Sequence, residues 1–167
     1  MKRIITTERL ILRPPKMEDL DDMFAAANNI EIAKWLARMP WPLAIEDTKR
    51  FIEQNADGQK MMRVVYFEDC PIGVVNADGG FGFWIAQPFW GRGFATEAGQ
   101  AMIDQAFQTT SIAAMPTGYF VGNTASARVL DKLGFVNTDV TELETVAFGV
   151  KTSRNMILTR ETWKART

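Results

Sequence analysis

Histidine is absent from the 167 residues and cysteine occurs once, at Cys70. These shortages exclude intramolecular disulfides, zinc sites built on Cys and His, Ser–His or Cys–His nucleophile pairs, and imidazole acid–base catalysis. A carboxylate-only magnesium or calcium site needs an Asp-rich loop of suitable spacing, and the sequence has none. Cys70, beside Pro71 in the turn-like Glu68-Asp69-Cys70-Pro71, reads as a structural or incidental thiol. Excess charge is missing too: 19 Lys and Arg against 20 Asp and Glu leave a net charge of -1, so no global field draws the chain to nucleic acid or anionic lipid. No apolar run approaches the roughly 18 residues that cross a bilayer, and the stretch from Met1 to Arg9 lacks the apolar core of a signal peptide. The expectation is a cytoplasmic protein, monomer or homodimer, without nucleic-acid or membrane partners.

With 47% hydrophobic residues, the chain can fill one full-sized core, and one α/β domain over residues 1–167 is the economical organisation. Leu10 and Leu12 share one side of a first strand over 9–13, stopped by Pro14-Pro15. Met17, Leu20, Phe24 and Ala27 recur at helical spacing to about Asn28; further helical stretches are expected over 30–36 and 45–55, the latter burying Phe51 and Ile52. Prolines in Met39-Pro40-Trp41-Pro42 break helix, and Trp35 and Trp41 stand either against the core or along an acceptor pocket. Residues 62–67 and 71–76 read as a hairpin closed by Glu68-Asp69, and 81–86 as the next strand. A helix over 96–109, a strand over 115–121, a helix over 126–133 and closing strands at 145–151 and 155–159 complete the order β-α-α-β-β-β-α-β-α-β-β. That order suits a mixed sheet with helices on both faces.

The most informative segment is Phe83-Trp84-Ile85-Ala86-Gln87-Pro88-Phe89-Trp90-Gly91-Arg92-Gly93-Phe94-Ala95-Thr96-Glu97-Ala98, a strand running through a Gly-rich turn into a helix. Gly91 and Gly93 carry no Cβ to keep a ligand off the backbone, and the first N–H groups of a helix lack internal partners, so a pyrophosphate can accept from them. The helix dipole adds attraction. A nicotinamide-binding turn fits poorly: Thr96 stands where the third Gly or Ala of that fingerprint belongs, and residues 113–117 offer no ribose-binding acid. Some thirty residues on, Asn123-Thr124-Ala125-Ser126-Ala127-Arg128-Val129-Leu130-Asp131-Lys132-Leu133-Gly134-Phe135 forms a second helix. Asn123 or Thr124 can cap it, Ala127, Leu130 and Leu133 lie near one face, and Gly134 suits a left-handed end.

Together these two blocks resemble the GNAT superfamily of acetyl-CoA-dependent N-acetyltransferases. Thr7-Glu8-Arg9-Leu10-Ile11-Leu12-Arg13-Pro14, the Trp90 to Ala98 turn and Leu158-Thr159-Arg160-Glu161-Thr162-Trp163 further resemble, in that order, signatures of the RimJ/RimL branch of ribosomal-protein acetyltransferases. The resemblance implies an α/β (α+β) fold with a mostly antiparallel sheet. It also implies acetyl-CoA as co-substrate without a metal, and direct acetyl transfer to a primary amine through a tetrahedral oxyanion. Carried over by position, the backbone of Phe83, Trp84 and Ile85 holds the pantetheine arm and an N–H around Ile85 stabilises the oxyanion. Gly91, Arg92, Gly93, Phe94, Ala95 and Thr96 hold the pyrophosphate. Arg92 stands open as a phosphate-side cation or a solvated surface arginine. Asn123 binds the pantetheine amides or is only a helix cap. Ser126 donates to the leaving thiolate or is simply compatible with a first helical turn.

Many relatives carry a Glu base on the strand before the phosphate turn, whereas Gly79-Gly80-Phe81-Gly82-Phe83 has no carboxylate. Asp78, Glu68 and Asp69 are the nearest candidates, and Glu97 is explained by the helix dipole. The favoured acceptor is a peptide or protein N-terminal amine. Two other readings remain beside it: a small-molecule amine acetyltransferase, and a non-catalytic acyl-CoA-binding module.

Overall fold

A computed structural model of the protein describes residues 3–166; Met1 and Lys2, the start of the segment considered for a signal peptide, lie outside the described residues. Five strands, β1 (Ile5–Thr6), β2 (Ile11–Arg13), β3 (Met62–Phe67), β4 (Cys70–Asn76) and β5 (Gly82–Ile85), form one sheet in sequential order. Three more, β6 (Ala114–Phe120), β7 (Val136–Thr145) and β8 (Gly149–Thr159), form a second in the order β6-β8-β7. Every pairing is antiparallel. The helices are α1 (Leu20–Ala27), α2 (Ile30–Ala33), α3 (Ile45–Glu53), α4 (Phe94–Thr109), α5 (Thr124–Leu133) and α6 (Arg160–Lys164), with 3-10 turns at Met17–Asp19 and Gln87–Phe89.

The period of two along β3 explains why helices cover both faces. Met62, Val64 and Tyr66 turn toward Met23 of α1 and Ile52 of α3, while Val65 turns with Leu12, Ile72 and Val75 toward α4 and α5. Gly99 lets those last two helices meet, because a Cβ there would sit 2.8 Å from Leu133 Cδ1 and 3.0 Å from Phe81 Cζ. The C-terminal signature closes the far end of α4. The Arg160 guanidinium donates to the carbonyls of Phe107 (2.7 Å), Thr110 (2.7 Å) and Ile112 (2.9 Å), serving carbonyls that the helix end leaves without partners. Trp163 stacks on Phe107 at 5.2 Å and donates to Asp104 Oδ1 at 2.7 Å.

Two expectations need correction. The closing strands are not 145–151 and 155–159: β7 runs from Val136 to Thr145, β8 runs unbroken from Gly149 to Thr159, and residues 146–148 are the turn between them. The Thr145 hydroxyl holds that turn, accepting from the Phe148 amide and donating to the Gly149 carbonyl, both at 2.9 Å. β7 escaped notice because it is an edge strand exposed at nine of its ten positions, so burial imposes no alternation on its residues. Within 17–28, the core residues are Met23 and Ala27, while Met17 is 45% exposed.

Asp19 ties the first strands to α1. It accepts from Arg13 (2.8 and 3.0 Å), Tyr66 (2.8 Å) and the Lys16 amide (2.7 Å). Burial opposes its ionisation, but these bonds together outweigh that and hold the carboxyl below its ordinary range. A depressed folded-state pKa contributes stability that is present above the unfolded value and lost as pH falls through the folded one. Asp19→Asn is expected to lower unfolding free energy by about 2–3 kcal/mol at pH 7, with the deficit shrinking toward pH 3; urea melts across that range measure it.

Candidate active site

β5 pairs with β4 at Gly73↔Ile85, Val74↔Trp84, Val75↔Phe83 and Asn76↔Gly82. Its other edge meets β6 only at the near end, where the Phe81 amide donates to the Pro116 carbonyl and the Thr117 hydroxyl to the Phe81 carbonyl, each at 2.8 Å. In an extended strand a residue's N–H and C=O point to the same side, and both groups of Phe81 are used in this contact. The strands share no ladder beyond it, and a cleft of about 640 Å³ opens between them.

Ladder parity decides which backbone groups face that cleft. The Ala86 amide donates to the Ile72 carbonyl at 2.7 Å, so Gly73↔Ile85 is a non-hydrogen-bonded pair and the N–H and C=O groups of Phe83 and Ile85 point away from β4. Those of Trp84 point toward β4. Of the three residues expected to offer backbone to an arm, Phe83 and Ile85 turn theirs away from β4, whereas Trp84 spends its backbone on β4; all three line the cleft. The Trp90 indole donates to the Ile85 carbonyl at 2.6 Å, leaving the Ile85 N–H directed at the cleft.

The Gly-rich turn forms the cleft's far wall. Gly91 (φ +73°) and Gly93 (φ +82°) adopt left-handed angles, and Gly93 starts α4 without a side-chain cap. The first helical bond runs from the Glu97 amide to the Gly93 carbonyl at 3.0 Å, so the amides of Phe94, Ala95 and Thr96 have no intrahelical acceptor. These three residues line the cleft together with Gly91 and Gly93. Arg92 is not among the residues lining the cleft: it is exposed, with its guanidinium over the rings of Phe67 (4.8 Å) and Phe94 (4.7 Å).

Opposite the turn, Asn123 Oδ1 caps α5 by accepting from the Ser126 amide at 3.1 Å. Asn123 and the half-buried Ser126 both line the cleft, so capping and a ligand-facing position coexist. Ala125, Arg128, Val129 and Lys132 line it too. The two cations were missed in the sequence, although the spacing i, i+3, i+4, i+7 from Ala125 marks a single helix face. Trp35 lies in the cleft wall, whereas Trp41 lines neither this cleft nor the cavity described next.

A second cavity of about 820 Å³ is lined by Met23, Phe51, Val74, Arg38, Asp47 and Arg50 among others, and shares Leu36, Ala37, Gly82 and Trp84 with the cleft. None of the carboxylates considered as a base reaches either space. Glu68 and Asp69 occupy the exposed hairpin turn with positive φ, and Asp78 is exposed. Asp47 does line the second cavity, but it accepts from Arg50 and the Ala44 amide, each at 3.1 Å. Glu97 is bound to the N-terminal segment: it accepts from Thr7 Oγ1 (2.6 Å), the Arg9 amide (2.9 Å) and Arg9 Nε (2.7 Å). Burial opposes its ionisation, yet those bonds outweigh it and hold the carboxyl below the ordinary range. Burial pushes the Cys70 thiol up, which disfavours a thiolate at neutral pH. Among the described residues no three His, Cys, Asp or Glu side chains gather as a metal site, and no helix is long and apolar enough to cross a membrane.

Residues 9–136 match the acetyltransferase (GNAT) domain family. A Bacillus subtilis (strain 168) protein, uncharacterized N-acetyltransferase YnaD, is 26% identical over 139 residues, covering 78% of this chain and 81% of its own. A GNAT-family acetyltransferase structure from Bacillus anthracis superposes with a TM-score of 0.84 at 20% identity, over 95% of this chain and 99% of that one. The structure of RimL, a ribosomal L7/L12 alpha-N-protein acetyltransferase in complex with coenzyme A, superposes with a TM-score of 0.79 at 16% identity, over 93% and 97%. Identities this low speak for the fold alone. The family match, however, spans well over half of the sequence and contains both the Gly-rich turn and α5, and the chain belongs to the GNAT acetyltransferase family.

Proposed function

We propose that this chain acts in the cytoplasm as a single-domain, acetyl-CoA-dependent N-acetyltransferase of the RimJ/RimL branch, with an N-terminal α-amine as acceptor. The observation that carries the donor half is the cleft between β5 and β6. One wall offers the Phe83 and Ile85 backbone, the far wall offers the unpartnered helix amides of Phe94, Ala95 and Thr96 behind Gly91 and Gly93, and α5 adds Arg128 and Lys132. That set suits a long polar arm ending in phosphates. The acceptor amine enters from the second cavity, which meets the cleft at Gly82 and Trp84. Attack on the thioester needs no covalent enzyme intermediate. The Ile85 N–H stabilises the developing oxyanion, and the Ser126 hydroxyl donates to the leaving sulfur.

The acceptor assignment rests on what the second cavity lacks. An α-amine has a pKa of about 7.7–8.0 and a lysine side chain about 10.4, so at pH 8 about half of the first but under about 1% of the second is neutral. A lysine-directed enzyme must make up roughly 3 kcal/mol with a tuned base, and the cavity's one carboxylate, Asp47, is engaged by Arg50. Polycationic small amines are disfavoured as well, since two arginines face that single carboxylate. RimL, similar in fold, is described as an alpha-N-protein acetyltransferase, which agrees with the same choice.

Three measurements test this reading. Gly93→Ala forces a Cβ onto a left-handed residue, and the turn must shift to relieve about 1–2 kcal/mol of strain; acetyl-CoA affinity by calorimetry is expected to fall about tenfold in a folded protein. Unchanged affinity removes the pyrophosphate assignment. Asn123→Ala is expected mainly to raise KM for acetyl-CoA, and Ser126→Ala to lower kcat about tenfold, the equivalent of one hydrogen bond of roughly 1.4 kcal/mol in the transition state; wild-type kinetics in both variants would refute their roles. Finally, kcat/KM is expected to be higher for short peptides with a free N-terminus than for N-terminally blocked lysine peptides or small amines. The opposite order reassigns the acceptor, and no turnover of any amine despite acetyl-CoA binding leaves a non-catalytic acyl-CoA module.

A further inference from the structure

We infer that Arg9 is a positioning residue for donor binding: by holding the Arg92 carbonyl from outside the cleft, it aims the Gly93 amide into the cleft, and Glu97 holds Arg9 in place. The inference rests on the reading of Gly91–Thr96 as the pyrophosphate site.

Arg9 Nη1 donates to the carbonyl of Arg92 at 3.0 Å. That carbonyl and the Gly93 N–H belong to one planar trans peptide and point in opposite directions. Fixing the carbonyl toward Arg9 therefore fixes the N–H on the other side. Gly93 lines the cleft and Arg9 does not. The amide accordingly points toward the space where phosphate oxygens need donors, and a cation on the carbonyl polarises it further.

Arg9 can act this way only if its own fork is immobile. Its Nε and Nη2 both reach Glu97 Oε2 at 2.7 Å, and the other carboxylate oxygen accepts from Thr7 Oγ1 (2.6 Å) and the Arg9 amide (2.9 Å). Thr7 Oγ1 is fixed in turn by the Leu10 amide at 3.0 Å. The Arg9 guanidinium also lies 4.5 Å from the centre of the Phe94 ring, the ring that Arg92 covers at 4.7 Å. Glu97 belongs to the first turn of α4, the helix whose leading amides face the cleft. One connected set of bonds thus runs from the N-terminal segment to the peptide between Arg92 and Gly93.

As a mere surface ion pair, with Arg9 40% exposed, this contact would contribute little to stability and nothing specific to ligand binding. As an orienting device it must show in phosphate recognition. The test compares CoA with pantetheine, the arm alone without the pyrophosphate and the adenosine 3′-phosphate, by calorimetry for CoA and ligand-observed NMR for the weaker ligand. Arg9→Met is expected to raise Kd for CoA about tenfold and leave Kd for pantetheine within twofold. Arg9→Lys, which supplies charge without the fork, is expected to raise Kd for CoA by severalfold with the same indifference to pantetheine, and it serves if Arg9→Met does not fold. Equal weakening of both ligands, or unchanged CoA binding in folded variants, overturns the inference. Wild-type protein that binds pantetheine as tightly as CoA overturns the underlying phosphate assignment, whatever the variants do.

Discussion

Everything at the site depends on α4 keeping a bare N-terminus. A helix start without a capping side chain leaves amides unsatisfied, and such an end stays ordered only when other contacts fix the helix. Here the fixing groups sit at both ends and in the middle. Arg160 takes three carbonyls around the C-terminus, Glu97 binds the Thr7–Arg9 segment near the N-terminus, and Gly99 seats the middle against Leu133 and Phe81. The three signatures far apart in the chain, at residues 7–14, 90–98 and 158–163, are in space three parts of one clamp on one helix.

The second constraint is the parting of two sheets. A continuous ladder between β5 and β6 would consume the backbone groups of Phe83 and Ile85 and leave no cleft. The contact ends at Phe81, whose amide donates to the Pro116 carbonyl and whose carbonyl accepts from the Thr117 hydroxyl rather than from a backbone amide of β6. Parity on the β4 side then leaves alternate residues of β5 with outward groups, so the strand can hold the sheet and face a ligand at once.

Within these limits the chemistry is modest. Histidine is absent, Glu31 in the cleft is paired with Lys34 and Asp47 in the second cavity with Arg50, so the proposed chemistry draws on oriented backbone amides, a hydroxyl and the electrostatics of helix ends. Backbone donors need no titration and little reorganisation, which suits the proposed α-amine acceptor, already partly neutral near pH 8.

The sequence by itself determined the elements whose residues carry their own local signal. These are the β3–β4 hairpin with its turn at Glu68-Asp69, the strand–turn–helix around Gly91 and Gly93, and α5 between Asn123 and Gly134. In each, glycine, capping groups or burial alternation act within a few residues. The tertiary structure decided what depends on distant partners. β7 exists because β8 pairs with it, not because its polar residues alternate. Trp84 turns its backbone to β4 because ladder parity is set across strands. The Arg92 guanidinium lies over aromatic rings that the fold gathers from distant segments, Phe67 beside Phe89 and Phe94. Glu97 looked like a residue satisfied by its own helix, and its donors proved to lie about ninety residues away in sequence. Local conformational preference is written within a few residues of chain, whereas hydrogen-bond direction and charge pairing are fixed only once the fold brings remote groups within about 3 Å.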